Sequence, residues 1–111
     1  MPVENIEAFE KAGMPAAGTI EEMLEKSDLV VDCTPGKIGE SNKPLYEQIG
    51  IKAIWQGGES HPIAGFSFNA VSNYDGAVGR DLVRVVSCNT TGLCRVISAI
   101  DQELGINKVR V

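Results

Sequence analysis

The stretch Ser87-Cys88-Asn89-Thr90-Thr91-Gly92 sets a thiol between two apolar runs. Before it stands LVRVV at 82–86; after it, Leu93, Val96, Ile97, Ile100 and Leu104 keep helical spacing up to Gly105. A helix starting around Asn89 or Thr90 leaves its first backbone N–H groups unpaired and aims the positive end of its dipole at the sulfur. Such a setting favours the thiolate, the form that attacks an electrophilic carbon. The same donors would stabilise an oxyanion formed on that carbon. Ser87, Asn89, Thr90 and Thr91 add hydroxyl and amide groups suited to phosphate or carbonyl oxygens. The competing reading is a small buried residue next to a Ser/Thr helix cap, because free cysteines are common in cores.

The other reactive side chains are weaker candidates. Cys94 would lie within the first two turns of that helix, away from its terminus, and Cys33 closes an apolar run; both are expected to pack. Three cysteines with a Cys-x5-Cys spacing and a single histidine match neither a zinc site nor a thioredoxin motif, so no metal is expected and the thiols are read as reduced. His61 stands in a loop, where a surface role outweighs acid–base duty. Arg80 and Arg84 could reach phosphate, but solvated surface charge is the expected role of both.

The elements that must position Cys88 alternate. Val3 to Ala12 has the spacing of an amphipathic helix, ended by Gly13-Met14-Pro15. Thr19 and Glu22 form the pattern of a capping box ahead of a second helix. DLVVDC, 28–33, reads as a buried strand that stops at TPGKIG. Pro44 suits the first turn of a helix running through Tyr46 and Ile49 to Gly50. Lys52 to Trp55 is a further strand, broken at QGGE, and FSFNAV, 66–71, and LVRVV are two more. Lys108 to Val111 begins another. This order predicts an α/β fold with right-handed βαβ units and a parallel sheet covered on both faces. In such sheets ligands gather at the carboxyl ends of the strands, where TPGKIG and QGGE both fall.

With 111 residues, the chain is sized for one small domain or pieces of two. A 43% hydrophobic and 23% charged composition is globular. The net charge of −5, without a Lys/Arg cluster, excludes an electrostatic footprint for nucleic acid or an anionic membrane. Any phosphate must therefore be held locally. No apolar run of about 18 residues and no leader pattern occurs, so a cytoplasmic location is expected.

Taken together, VVDCTPGKIGESNKPLYE, KAIWQGGE and NYDGAVGRDLVRVVSCNTTGLCR resemble the archaeal-type phosphorylating glyceraldehyde-3-phosphate dehydrogenases over nearly the whole chain. The resemblance implies the second half of a Rossmann-type nucleotide-binding domain at 1–86. It also implies the start of an α+β catalytic domain, its first helix and strand, at 87–111. Cys88 would attack the aldehyde carbon of glyceraldehyde 3-phosphate, hydride would pass to NADP or NAD, and inorganic phosphate would release 1,3-bisphosphoglycerate. Ser87 and Asn89 would contact substrate, Thr90 its phosphate, and Thr34 and Gly58 the cofactor. A homotetramer is implied for the complete enzyme.

Two parts of the family pattern have no counterpart in these residues. No GxGxxG-like turn occurs, and His61 lies upstream of the cysteine in a stretch unlike the family's histidine motif. The expectation is an internal segment, inactive alone. Two other readings stay open: an enzyme like aspartate-semialdehyde dehydrogenase, and a non-catalytic thiol or nucleotide-binding module.

Overall fold

A computed structural model describes residues 5–110. Four strands, β1 (Leu29–Asp32), β2 (Lys52–Trp55), β3 (Ser67–Phe68) and β4 (Leu82–Val85), form one parallel sheet in the order β1-β2-β4-β3. Helices α1 (Ile6–Lys11), α2 (Ile20–Glu25), α3 (Ile38–Ile49), α4 (Ala70–Ala77) and α5 (Cys88–Leu104) alternate with them, and a 3-10 turn spans His61–Ile63. The fold is α/β, consistent with part of a Rossmann-type domain.

Side chains alternate across a strand, and the strand register assigns them to two unlike faces. Val30 lies beside Ala53, which lies beside Leu82; Asp32 lies beside Trp55 and Arg84. This face is covered by α2 and α3, and its core is Leu24, Tyr46, Ile51, Ala53, Trp55 and Ile63. The rings of Tyr46 and Trp55 meet at 6.0 Å between centroids. The opposite face carries Val31, Ile54, Val83, Val85 and Phe68. It is open: Leu29 and Val31 are 46% and 49% exposed. An apolar trough of about 530 Å³ runs along it, with Tyr74 of α4 and Val78 just beyond that helix at its rim. Cover on both faces is thus not what the described residues show.

Several local expectations hold. Thr19 caps α2, with its hydroxyl accepting from the Glu22 amide at 3.2 Å and its own amide donating to Glu22 Oε2 at 3.0 Å. Gly50 ends α3 in the left-handed region at φ 76°.

Others are corrected. Pro44 does not start α3; it lies inside it, six residues after the first helical position. The early turns are held by tertiary contacts instead: Trp55 Nε1 donates to the Gly39 carbonyl at 3.1 Å, and Asn42 Nδ2 to Asp32 Oδ2 at 3.0 Å. Strand 66–71 shrinks to two residues, because the Asn69 side chain accepts from the Val71 amide and opens α4. Residues 108–110 form no strand, while Val111, like Val3 of the first expected helix, lies outside the described residues.

Candidate active site

Helix α5 begins one residue earlier than its spacing suggested. Ser87 is its N-cap: the Oγ accepts from the Thr90 amide at 3.2 Å and lies 3.0 Å from Thr90 Oγ1. Cys88 is consequently the first helical residue, and its side chain is exposed. The first intrahelical-type backbone bond runs from Thr91 N–H to Ser87 O at 2.9 Å, so the amides of Cys88 and Asn89 precede the bonded ladder.

The cysteine faces a cleft of about 710 Å³ between the start of α5 and the carboxyl ends of β1, β2 and β4. A volume of roughly 300–1,000 Å³ is usual for small-molecule sites. On one side stand Cys33, Gln56, Gly57 and Gly58; on the other, Ser87, Cys88, Thr91, Gly92 and Arg95, with Val85 and Val86 beneath. Arg95 is the one charged residue among these.

Two loops make the first wall, and they are locked together. The Gln56 amide donates to Asp32 O at 2.8 Å, and Cys33 Sγ lies 3.7 Å from Gln56 Oε1. Gly57 packs so closely that a Cβ there would sit 1.9 Å from the Thr34 carbonyl oxygen. Gly58 adopts φ 96°, a region that side chains disfavour.

Asp32 anchors this wall from below. It is 3% exposed. Its Oδ1 accepts from the Thr34 amide at 2.9 Å and from the Thr34 hydroxyl; Oδ2 accepts from Asn42 at 3.0 Å and from the Tyr46 hydroxyl at 2.8 Å. Burial pushes the Asp32 carboxyl up, but these hydrogen bonds outweigh it and hold the group below its usual 3.8. Burial, together with the bond and charge of Asp32, pushes the Tyr46 phenol well above its usual value.

Glu59 is the second buried carboxylate, 8% exposed, with neither oxygen hydrogen-bonded among the described residues. It rests against the start of α3, where a Cβ on Gly39 would come within 2.5 Å of its Oε1 and 2.8 Å of Trp55 Cδ1. Its backbone carbonyl accepts from Arg84 Nε at 2.7 Å, and Arg84 also reaches Ser67 Oγ at 2.9 Å.

The structure brings Ser87, Cys88 and Gly58 together in the cleft. Asn89 and Thr90 lie exposed in the same first turn but do not line it, and the Thr34 hydroxyl is directed at Asp32. Cys33, expected to pack, is exposed and lines the cleft; Cys94 is half-buried. Arg84 is a tie between loop and strand instead of a solvated charge. Arg80, exposed, stacks over the Phe66 ring at 4.2 Å. His61 lies outside the cleft lining, with Nδ1 2.9 Å from Ser67 Oγ. Sequence reasoning missed Gln56 and Arg95. The latter had a signal: positions 88, 91, 92 and 95 share one face of a helix.

No family model matches the chain. Individual proteins do. It is 81% identical over 109 residues to "Glyceraldehyde-3-phosphate dehydrogenase 1" of Methanosarcina acetivorans, covering 98% of this chain and 32% of that protein. It is 83% identical over 109 residues to "Glyceraldehyde-3-phosphate dehydrogenase 2" of Methanosarcina barkeri, with the same shares. Over this stretch the chain is similar to archaeal proteins named glyceraldehyde-3-phosphate dehydrogenase. More distant relatives carry the same name, among them one of Methanobrevibacter smithii, 55% identical over 107 residues, 96% of this chain and 32% of that protein. The chain spans about a third of the length of the curated relatives it matches. The matched stretch holds one cleft, with the exposed thiol of Cys88 on one wall and the glycine loop on the other.

Proposed function

We propose that the protein containing this segment is a phosphorylating glyceraldehyde-3-phosphate dehydrogenase, an oxidoreductase acting on glyceraldehyde 3-phosphate with NADP or NAD and inorganic phosphate, with Cys88 as its nucleophile. The observation that carries the reading is the exposed Cys88 at the first position of a 17-residue helix, across a cleft from Gly57 and Gly58. The chemistry of that wall fits a nicotinamide: two glycines without side chains let a flat ring approach the backbone closely. When bound, the oxidised ring supplies the hydride acceptor. Gly58 and the Thr34 turn seated on Gly57 lie on the cofactor side.

The Cys88 thiolate adds to the aldehyde carbon and gives a thiohemiacetal, whose oxygen is met by the leading amides of α5. Hydride leaves that carbon and the C–S unit becomes a thioester. A phosphate oxygen then attacks the thioester carbonyl and expels the Cys88 thiolate, leaving 1,3-bisphosphoglycerate. Ser87, in the cleft lining, contacts the substrate; Asn89 and Thr90, in the same first turn but outside the lining, are assigned to the substrate and its phosphate by the resemblance alone. Among the described residues no histidine or carboxylate lines the cleft, and the proton acceptor is assigned to the rest of the enzyme. A cytoplasmic homotetramer completes the reading, and no helix among the described residues is long and apolar enough to cross a membrane.

The test is steady-state NADP and NAD reduction by the full-length protein with glyceraldehyde 3-phosphate and phosphate. Cys88→Ser should abolish turnover while Cys33→Ser and Cys94→Ser retain it. Undiminished activity in Cys88→Ser would refute the assignment.

A further inference from the structure

The two walls of the cleft come from different strands: Cys88 follows β4, and the QGGE loop follows β2. The register between those strands runs as far as Trp55 beside Arg84. Beyond it the backbones part. The Gln56 amide donates to Asp32 O, on the β1 side, while the amides of Arg84 and Val86 donate to Phe66 O and Phe68 O, on the β3 side. Among the described residues no backbone hydrogen bond then joins loop 57–60 to β4.

The Arg84 side chain makes that connection. Arg84 is half-buried in β4, four residues before Cys88. Its Nε donates to the Glu59 carbonyl at 2.7 Å, and its Nη1 donates to Ser67 Oγ at 2.9 Å. Ser67 is its register partner on β3, so one planar guanidinium is braced against the sheet by one N–H and holds the loop by another. Glu59 is also gripped at its other end, where the buried carboxylate rests against Gly39 and Trp55. Gly58, the residue before it, adopts φ 96° and has no side chain to hold it. A glycine released from such a neighbour regains a wide range of backbone conformations. A loop that is free before binding must be ordered by the ligand, and affinity falls accordingly.

We propose that Arg84 is a positioning residue that clamps the glycine loop to the strand bearing Cys88, and so fixes the width of the cleft into which the nicotinamide cofactor fits. The inference rests on the dehydrogenase reading and extends it to a residue outside the cleft lining. Arg84 touches no reacting atom; it acts through the Glu59 carbonyl on Gly58.

The test compares full-length Arg84→Met and Arg84→Lys with the unsubstituted enzyme. The methionine keeps the apolar stem and loses every donor, whereas lysine keeps a cation able to make one of the two contacts. Without cofactor, hydrogen–deuterium exchange at amides 57–60 should speed up in Arg84→Met while exchange in α2 and α3 stays unchanged. The Kd of NADP or NAD, read by titration calorimetry, should rise by roughly 10- to 100-fold, the effect of losing a hydrogen bond to a charged group. The KM for glyceraldehyde 3-phosphate and the alkylation rate of Cys88 in the absence of cofactor should not move. Arg84→Lys should fall between the two proteins, and it carries the test if Arg84→Met does not fold. Unchanged exchange in the loop, faster exchange throughout the sheet, or an unaltered cofactor Kd overturns the proposal. An unsubstituted enzyme that neither binds a nicotinamide cofactor nor oxidises glyceraldehyde 3-phosphate refutes the dehydrogenase reading instead. The clamp is then judged by exchange alone: acceleration confined to 57–60 supports it, and any other pattern overturns it.

Discussion

Cys88 is exposed because Ser87 starts the helix and leaves the next side chain outside the core; Cys33 is exposed at the end of β1, and Cys94 is half-buried one and a half turns into α5. Limiting iodoacetamide on the folded full-length enzyme, read peptide by peptide, should therefore modify Cys94 last. Asp32 makes a prediction of the opposite kind, about stability. Its folded carboxyl sits below the usual 3.8, so its contribution is complete above that value and is lost as the pH falls through the folded value. Asp32→Asn should cost about 2 kcal/mol in denaturant titrations near neutrality and flatten the acid limb of the stability–pH curve. An unchanged acid limb would show that other carboxylates govern it. Tyr46 works in the other direction: its folded value is raised, so its share is present below the ordinary value of 10.0 and declines as the pH rises above it.

At the scale of elements, the two loops at the ends of β1 and β2 form a single wall because Gly57 lets the Thr34 carbonyl sit where a side chain would otherwise be. Gly57→Ala should displace the wall, with an overpacking cost of ~1–3 kcal/mol and a raised KM for the nicotinamide cofactor; a normal KM would separate that loop from cofactor binding. Helix α5 owes its start to a local device. Ser87→Ala removes the cap from Thr90 and should lower stability by about 1 kcal/mol, measurable as a lower Tm. The capping box of α2 and the glycine stop of α3 were legible for the same reason, since each depends on residues a few positions apart. The start of α3 was not. Its first turns are held by Asp32 and Trp55, 10 and 16 residues from their partners, and no local pattern encodes such a contact. Residues 70–77 read poorly as a helix because Ser, Asn and Gly interrupt any apolar stripe, and Asn73 bends it out of helical geometry.

At the scale of the molecule, the sheet has one packed face and one open one, and the outer side of α5 is apolar as well: Val96 is 59% exposed and Leu104 82%. Exposed apolar surface of this extent normally belongs to an interface. The curated relatives are about three times as long, so the corresponding surfaces in them have further chain available to pack against. The 111-residue chain produced alone should bind a hydrophobic dye and self-associate in sedimentation, and Val31→Lys should reduce both effects. A monodisperse, dye-negative chain would mean that the trough closes by itself.

The sequence by itself determined the α/β alternation, the placement of a thiol at a helix start, and the two glycine loops at strand ends. Each rests on period, cap or turn chemistry within about ten residues. Only the tertiary structure decided that Gly58 and Cys88 share a cleft, that Asp32 and Glu59 are buried beneath its wall, and that Arg95 is the one charged residue lining it among the described residues. Those placements follow from the parallel sheet order β1-β2-β4-β3, which brings the ends of β1, β2 and β4 side by side although 53 residues separate Asp32 from Val85. Pairing at that distance is set by the packing of the whole sheet, which no local pattern records.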